Sequence, residues 1–235
     1  MIRATLWFMP TSGVSIESLA PFVAELSQSE RDRAARFAFD RDQRDYLAAH
    51  ILQRRLLSSV HGELLPADWQ FEPGRFGKPR VANELTSVPE FNLSHTRGLV
   101  AAIAADVPVG VDVEWLQRRT NPSLAESFFA AEEIRELLAL SGDERKLRFL
   151  QIWTLKESYI KGTGAGLRQP LDEFYFDHSS AEPVLQWKGS SPQHEAPWRF
   201  QQHRPTNEHI LALAICAERE AQLTIEAREL TPGCL

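Results

Sequence analysis

Asp112 and Glu114 stand two residues apart in the apolar run VGVDVEW, so on a strand both carboxylates face the same side. Two like charges on a strand otherwise made of Val and Gly repel one another and call for a cation. Glu157 and Lys161 lie four apart in a segment of helical period, which stacks them on one helix face. Three carboxylates and a lysine can therefore converge on one point, and a metal ion and an anion are its natural guests. Alone, a D-x-E strand reads as a solvated face and K-E-S-x-x-K as a surface helix. Together, in this order and with Trp153 four residues ahead of Glu157, they read as a site.

Composition bounds what surrounds this site. A chain of 235 residues, 43% hydrophobic and 25% charged, can bury a substantial core as one large domain or two small ones. Its net charge of −6 argues against nucleic acid as a partner. Two cysteines, Cys216 and Cys234, are too few for a disulfide framework and lack neighbours at metal-ligand spacing. Cys216, in an apolar run, reads as a buried small hydrophobe. The opening MIRATLWFMP is too short for a signal peptide, and no run of 18 apolar residues suggests a membrane span. These features predict a soluble, cytoplasmic protein.

The elements that must position the site follow from periodicity and punctuation. A strand over 2–9 ends at Pro10. Ser15 caps a short helix, a second helix starts at Ser29, and a third runs from about Asp40 to Val60 and stops at Gly62. The third buries Tyr46, Leu47, Ile51, Leu52 and Leu56. Arg31, Arg33, Arg36, Arg41 and Arg44 form a basic cluster here, either a solvated face or part of an anion pocket. A strand over 69–71 leads to the turn at 74–80, where Gly77 permits close backbone approach and Lys78 supplies a flexible cation. Strands over 91–95, 99–105 and 109–115 follow, the first ending in Ser94 and His95. His95 is either structural or a donor to phosphate.

Asn121-Pro122 opens a helical region in which FFAAEEIRELLAL forms one helix, ended by Ser141-Gly142. Asp143 caps the next helix, and Gly162, Gly164 and Gly166 form a flexible loop beyond it. Strands over 174–176, 184–187, 198–203, 210–216 and 223–226 complete the chain, with a loose tail from Leu230. Strand, helices, strands thus occurs twice, over 1–108 and 109–235. The expected fold is α+β, two similar subdomains in pseudo-twofold arrangement with the site in the cleft between them.

The set FGKPR, FNLSHT, VGVDVEWL, FFAAEE and WTLKESYIKGTGAGL resembles the 4′-phosphopantetheinyl transferase superfamily, in its long, surfactin-synthetase-activating type, over roughly residues 26–176. The resemblance implies Mg²⁺-dependent transfer of the phosphopantetheine arm of coenzyme A to a serine of an apo acyl or peptidyl carrier protein, releasing adenosine 3′,5′-bisphosphate. Such carriers serve fatty-acid, polyketide and nonribosomal-peptide synthesis. It implies Asp112, Glu114 and Glu157 as metal ligands, an all-oxygen set suited to Mg²⁺, with Mn²⁺ as a substitute. Lys161 and His95 match positions that hold the pyrophosphate. Lys78, Pro79 and Ser94 match the adenine and 3′-phosphate end of coenzyme A. Glu157, or a water it orients on the metal, is the expected base for the carrier serine. Glu133 matches a glutamate near the metal shell, and an ordinary surface-helix glutamate is the competing reading.

One departure stands out. In SQSERDRAARF, Glu30 occupies a place where the family has a lysine that reaches the 3′-phosphate. Arg33, Arg36 and Arg44 are the residues to which that role can pass. The expected organisation is a monomer whose nucleotide contacts come from 1–108 and whose metal and catalytic carboxylates come from 109–235. The alternatives are a metal-dependent hydrolase of coenzyme A or nucleotide pyrophosphates, and a carrier-binding module without catalysis.

Overall fold

A computed structural model describes the chain apart from residues 75, 121, 181 and 190–195, and gives the backbone alone for 122–124 and 167. Strand β1 (Ile2–Pro10) leads through α1 (Ile16–Leu19) and α2 (Gln28–Ala34) to the 22-residue α3 (Asp40–His61). The hairpin β2–β3 (Phe71–Pro73, Pro79–Val81) follows, then β4 (Glu90–Thr96), β5 (Leu99–Ala105) and β6 (Val109–Trp115). Helices α4 (Pro122–Phe128), α5 (Ala131–Leu138) and α6 (Gly142–Thr163) precede β7 (Phe174–Asp177), β8 (Val184–Trp187), β9 (Trp198–Thr206), β10 (His209–Cys216) and β11 (Leu223–Glu229).

The architecture is the expected α+β mixture. One sheet runs in the order β11-β1-β5-β4 and a second in the order β6-β10-β9. Strand β11 lies parallel to β1, pairing Ile2 with Leu223 through to Phe8 with Glu229, so the last strand completes the first sheet. β5 is buried along its whole length, and its alternation explains why. Val100, Ala102 and Ala104 face α3, against Ile51, Leu52, Leu56 and Leu57. Leu99, Ala101 and Ile103 face the second sheet, meeting Val109, Val111, Val113, Leu211 and Leu213. On the far side of that sheet, Leu155, Tyr159 and Ile160 of α6 pack on Phe200, Ala212 and Ala214. The layers are helix, sheet, sheet, helix.

Where β4 meets β6 the sheets are joined by side chains. Asn92 Oδ1 accepts from the Val111 N–H at 2.9 Å, and Ser94 Oγ accepts from the Val113 N–H at 3.2 Å. Gly110 lets α6 settle onto β6: a Cβ there would lie 1.9 Å from the Ser158 carbonyl oxygen. Any larger residue would lift the helix off the strand.

Several local expectations change. FFAAEEIRELLAL is two helices, because the chain breaks at Phe129–Ala130, where Ala130 is extended. Ser141 and Gly142 open α6 rather than end α5, with Asp143 in the first turn, and Gly162 lies inside α6 instead of in a loop. Leu230 is buried and donates its N–H to Phe8 O at 2.8 Å, so the tail is docked. Trp69 lies ahead of β2 rather than in it. Ser27, not Ser29, caps α2, and Cys216 is only half-buried. The helix start expected at Asn121 falls outside the described residues.

Candidate functional site

Alternation on β6 turns Val109, Val111 and Val113 toward the first sheet and leaves Gly110, Asp112 and Glu114 toward α6. Both carboxylates are buried, at 5% and 8% exposure. Lys161 Nζ stands 2.5 Å from Asp112 Oδ1 and donates to Ser94 Oγ at 3.0 Å, while Ser94 Oγ donates to Asp112 Oδ1 at 3.1 Å. Asp112 Oδ2 is buried with no hydrogen-bond partner. Glu114 pairs with Arg118, whose guanidinium carbon sits 5.9 Å from the Trp153 ring centre.

Charge is unevenly balanced here. Burial and repulsion from Asp112 push Glu114 up to about 7, against the pull of Arg118 and Lys161. Burial, then Asp112, also raises Glu157, opposed by Lys161 and Arg118. Three carboxylates thus share two cations, and one buried carboxylate oxygen lacks a donor. That is the electrostatic signature of a site suited to one more cation. The all-oxygen donor set fits a hard divalent ion. Among the described residues no three acidic, His or Cys side chains are gathered as a ligand shell, since Asp112 and Glu114 are turned to Lys161 and Arg118.

His95, the neighbour of Ser94 on β4, is exposed at the mouth of this cleft. Although its side chain reaches solvent, the protein packed around it strips part of its hydration and, with the positive charges of His50, Lys161 and Arg33 outweighing Asp45, lowers its pKa. Beyond it lies a cavity of about 550 Å³ lined by Arg33, Tyr46, His50, Gln53, Phe71 and Pro79 among others. Arg33 reaches over the Tyr46 ring, 5.7 Å from its centre. Arg36 is exposed and outside the lining. Arg44 is engaged elsewhere, with Nε and Nη2 each 3.0 Å from Asp45 Oδ1.

Glu30, which stands where the resemblance implies a lysine, lines this cavity. It accepts from the Ser27 N–H at 2.7 Å, from Arg54 Nη2 at 2.7 Å and from His50 Nδ1 at 3.1 Å. Burial alone would raise its pKa, yet His50, Arg54 and Ser27 outweigh burial and hold it at about 2.

Two residues have other work than expected. Lys78 is no free cation: its ammonium donates to Gly162 O at 3.0 Å and Val109 O at 3.2 Å, and lies 3.5 Å from Glu90. It ties the hairpin β2–β3 to the start of β6 and the end of α6. Glu133 is neither a surface glutamate nor turned to the carboxylate cluster. It is 2% exposed, 2.9 Å from Lys156, and accepts from the N–H groups of Ala130 at 3.0 Å and Phe176 at 3.2 Å. Lys156 also donates to the carbonyls of Leu171 and Phe174. Burial lowers Lys156 and raises Glu133, each opposed by the other. Lys156 sits beside Glu157 in WTLKESYIKGTGAGL, but nothing in that spacing marks it as the partner of Glu133. Arg118, one helical turn's spacing past Glu114 but on a turn, carried no signal either.

Comparison with known proteins covers the same ground. Residues 108–214 match the 4′-phosphopantetheinyl transferase superfamily, and residues 15–107 match the N-terminal part of 4′-phosphopantetheinyl transferases. The chain is 33% identical over 208 residues to the 4′-phosphopantetheinyl transferase psf-1 of Bacillus pumilus, covering 88% of this chain and 83% of that one. It is 32% identical to the transferase Sfp of Bacillus subtilis over 68% of this chain and 70% of that one. To HetI of Nostoc it is 31% identical over 76% of each.

Proposed function

This chain belongs to the 4′-phosphopantetheinyl transferase superfamily, and from that premise we propose that it moves the phosphopantetheine arm of coenzyme A onto a serine of an apo acyl or peptidyl carrier protein. The observation that supports this most is the cluster itself: Asp112 with one unpartnered oxygen, Lys161 against the other, and Glu114 and Glu157 short of positive charge. Asp112, Glu114 and Glu157 would hold Mg²⁺, or Mn²⁺ in its place, which when bound neutralises charge on the pyrophosphate.

The residues of the chain then have distinct tasks. The serine hydroxyl oxygen attacks the β-phosphorus of coenzyme A, and the bond from that phosphorus to the bridging oxygen breaks. The serine proton passes to Glu157 or to a water that Glu157 orients. The electron pair leaves with adenosine 3′,5′-bisphosphate. Lys161 stabilises the charge gathering on the departing oxygens, and His95 donates a hydrogen bond at the mouth of the cleft. Ser94 orients Lys161 and Asp112. Arg33 and Pro79 border the nucleotide, with Arg33 toward the 3′-phosphate, while Lys78 holds that wall to α6. In this reading 1–108 supplies the nucleotide contacts and 109–235 the carboxylates. The protein acts as a monomer in the cytoplasm, and among its described residues no helix is long and apolar enough to cross a membrane.

Intact-protein mass spectrometry of apo carrier proteins incubated with this protein, coenzyme A and Mg²⁺ tests the reading. A mass gain of one phosphopantetheine arm, lost on chelation, is expected. Coenzyme A consumed with no gain on any carrier would replace the transferase with a hydrolase.

A further inference from the structure

Along one face of α3, Tyr46, His50, Gln53 and Arg54 point to the cavity beneath Arg33, as spacings of three, four and seven residues dictate. His50 and Arg54 are engaged with protein partners. His50 Nδ1 is held by Glu30. Arg54, 2% exposed, gives its guanidinium to Glu30 and to the carbonyls of Pro66 and Trp69. Trp69 Nε1 donates to Ser58 Oγ at 2.9 Å. Gln53 has no such partner. Its side chain is 3% exposed and lines the cavity, its Oε1 is buried without a partner, and its Nε2 makes no hydrogen bond among the described residues.

A buried amide left unbonded is costly, and here it lines a mixed wall, in which the flat surfaces of Tyr46, Trp69, Phe71, Pro73 and Pro79 stand beside polar groups such as Glu30, Arg33 and Gln70. An amide offers one acceptor and one donor side by side. Adenine offers the reverse, a 6-amino donor next to a ring-nitrogen acceptor, and glutamine is a bidentate partner for that edge. The rings and prolines supply the faces on which a purine stacks.

We propose that Gln53 is the specificity residue for the base of the nucleotide substrate, reading the 6-amino group of adenine. This deepens the transferase reading and rests on it. Gln53 touches no reacting atom, so it acts on substrate binding and leaves the chemical step alone.

The test compares coenzyme A with an analogue whose base is purine lacking the 6-amino group, on wild type and on the nearly isosteric Gln53→Met. Wild type is expected to favour coenzyme A roughly tenfold in kcat/KM, because the analogue leaves the Gln53 acceptor unpaired. Gln53→Met is expected to bring the two substrates within about twofold, with KM for coenzyme A raised roughly tenfold and kcat little changed. A wild type that uses both substrates equally overturns the proposal, and does so even if Gln53→Met fails to fold. A Gln53→Met protein that keeps the tenfold preference also overturns it. Calorimetric titration of both compounds separates this from the parent reading. Preference in binding without transfer to any carrier keeps Gln53 as base reader and removes the transferase. Equal affinities, or no binding to wild type, remove Gln53.

Discussion

Helix α6 carries two lysines five residues apart that meet carboxylates in opposite ways. Lys156 is fully buried, and it and Glu133 between them are bonded to two carbonyls and two amide N–H groups. Lys161 is 29% exposed on its side chain, and its partner Asp112 keeps one oxygen with no donor at all. The first pair is closed, with every group satisfied, and behaves as a rivet joining α5, α6 and β7. The second is open, and an open buried charge pair is a place prepared for something else to enter. Burial of the carboxylates does not separate the two, since Asp112 is nearly as hidden as Glu133. The unfilled hydrogen-bond position does.

Breaking the closed pair should have the largest effect. Lys156→Met strands the Glu133 carboxylate in the core and should cost about 3–5 kcal/mol of folding free energy, measured by urea titration. Adding Glu133→Gln should recover part of that loss. A cost under about 1 kcal/mol for the single change would erase the distinction. Asp112→Ala should do the opposite, leaving the unfolding midpoint near wild type while transfer falls a hundred- to a thousandfold. Near-normal transfer in a quenched mass-spectrometric assay would sink the site. Lys161→Ala should slow transfer about a hundredfold, and it should cost less stability than Lys156→Met, because water reaches the Lys161 end of its pair.

Glu30 sharpens the contrast from the other side of the cleft. Its pKa falls from an ordinary 4.5 to about 2 on folding. Its stabilisation is therefore complete above pH 4.5 and lost as pH falls from there toward 2. Thermal melts should show about 2 kcal/mol of this acid-dependent loss, allowing for its partial exposure, and Glu30→Gln should flatten that part of the profile. The smallest effect belongs to Arg33→Ala. It should weaken coenzyme A about fivefold and leave 3′-dephospho coenzyme A unchanged, by calorimetry. Equal loss for both would remove Arg33 from the 3′-phosphate.

What could be read in the sequence was what local period encodes. Strands β5 and β6 emerge to the residue, because a fully apolar run and a strict alternation are local signals, and the shared face of Asp112 and Glu114 follows from the same alternation. Glu157 and Lys161 follow from helical spacing. Partners remote in sequence were invisible. Nothing local says that Glu133 and Lys156, both of types seldom buried, hide together, or that Lys78 is spent on the carbonyls of Val109 and Gly162. Gln53 gave no signal because a glutamine on an apolar helix face looks like any tolerated polar substitution. Its meaning comes only from where the fold places it, buried and unpartnered against a cavity.

The parallel pairing of β1 with β11 also governs when the molecule can finish folding. The strand next to β1 on its outer side is more than two hundred residues downstream, so a chain leaving the ribosome holds an open edge on its first sheet until residues 223–229 have been made. Long-range closure of this kind is slow, and an uncovered strand edge invites pairing with other chains. Solubility during expression should therefore depend on the speed with which residues 223–229 reach β1, a property of the nascent chain that no change at the carboxylate cluster would alter.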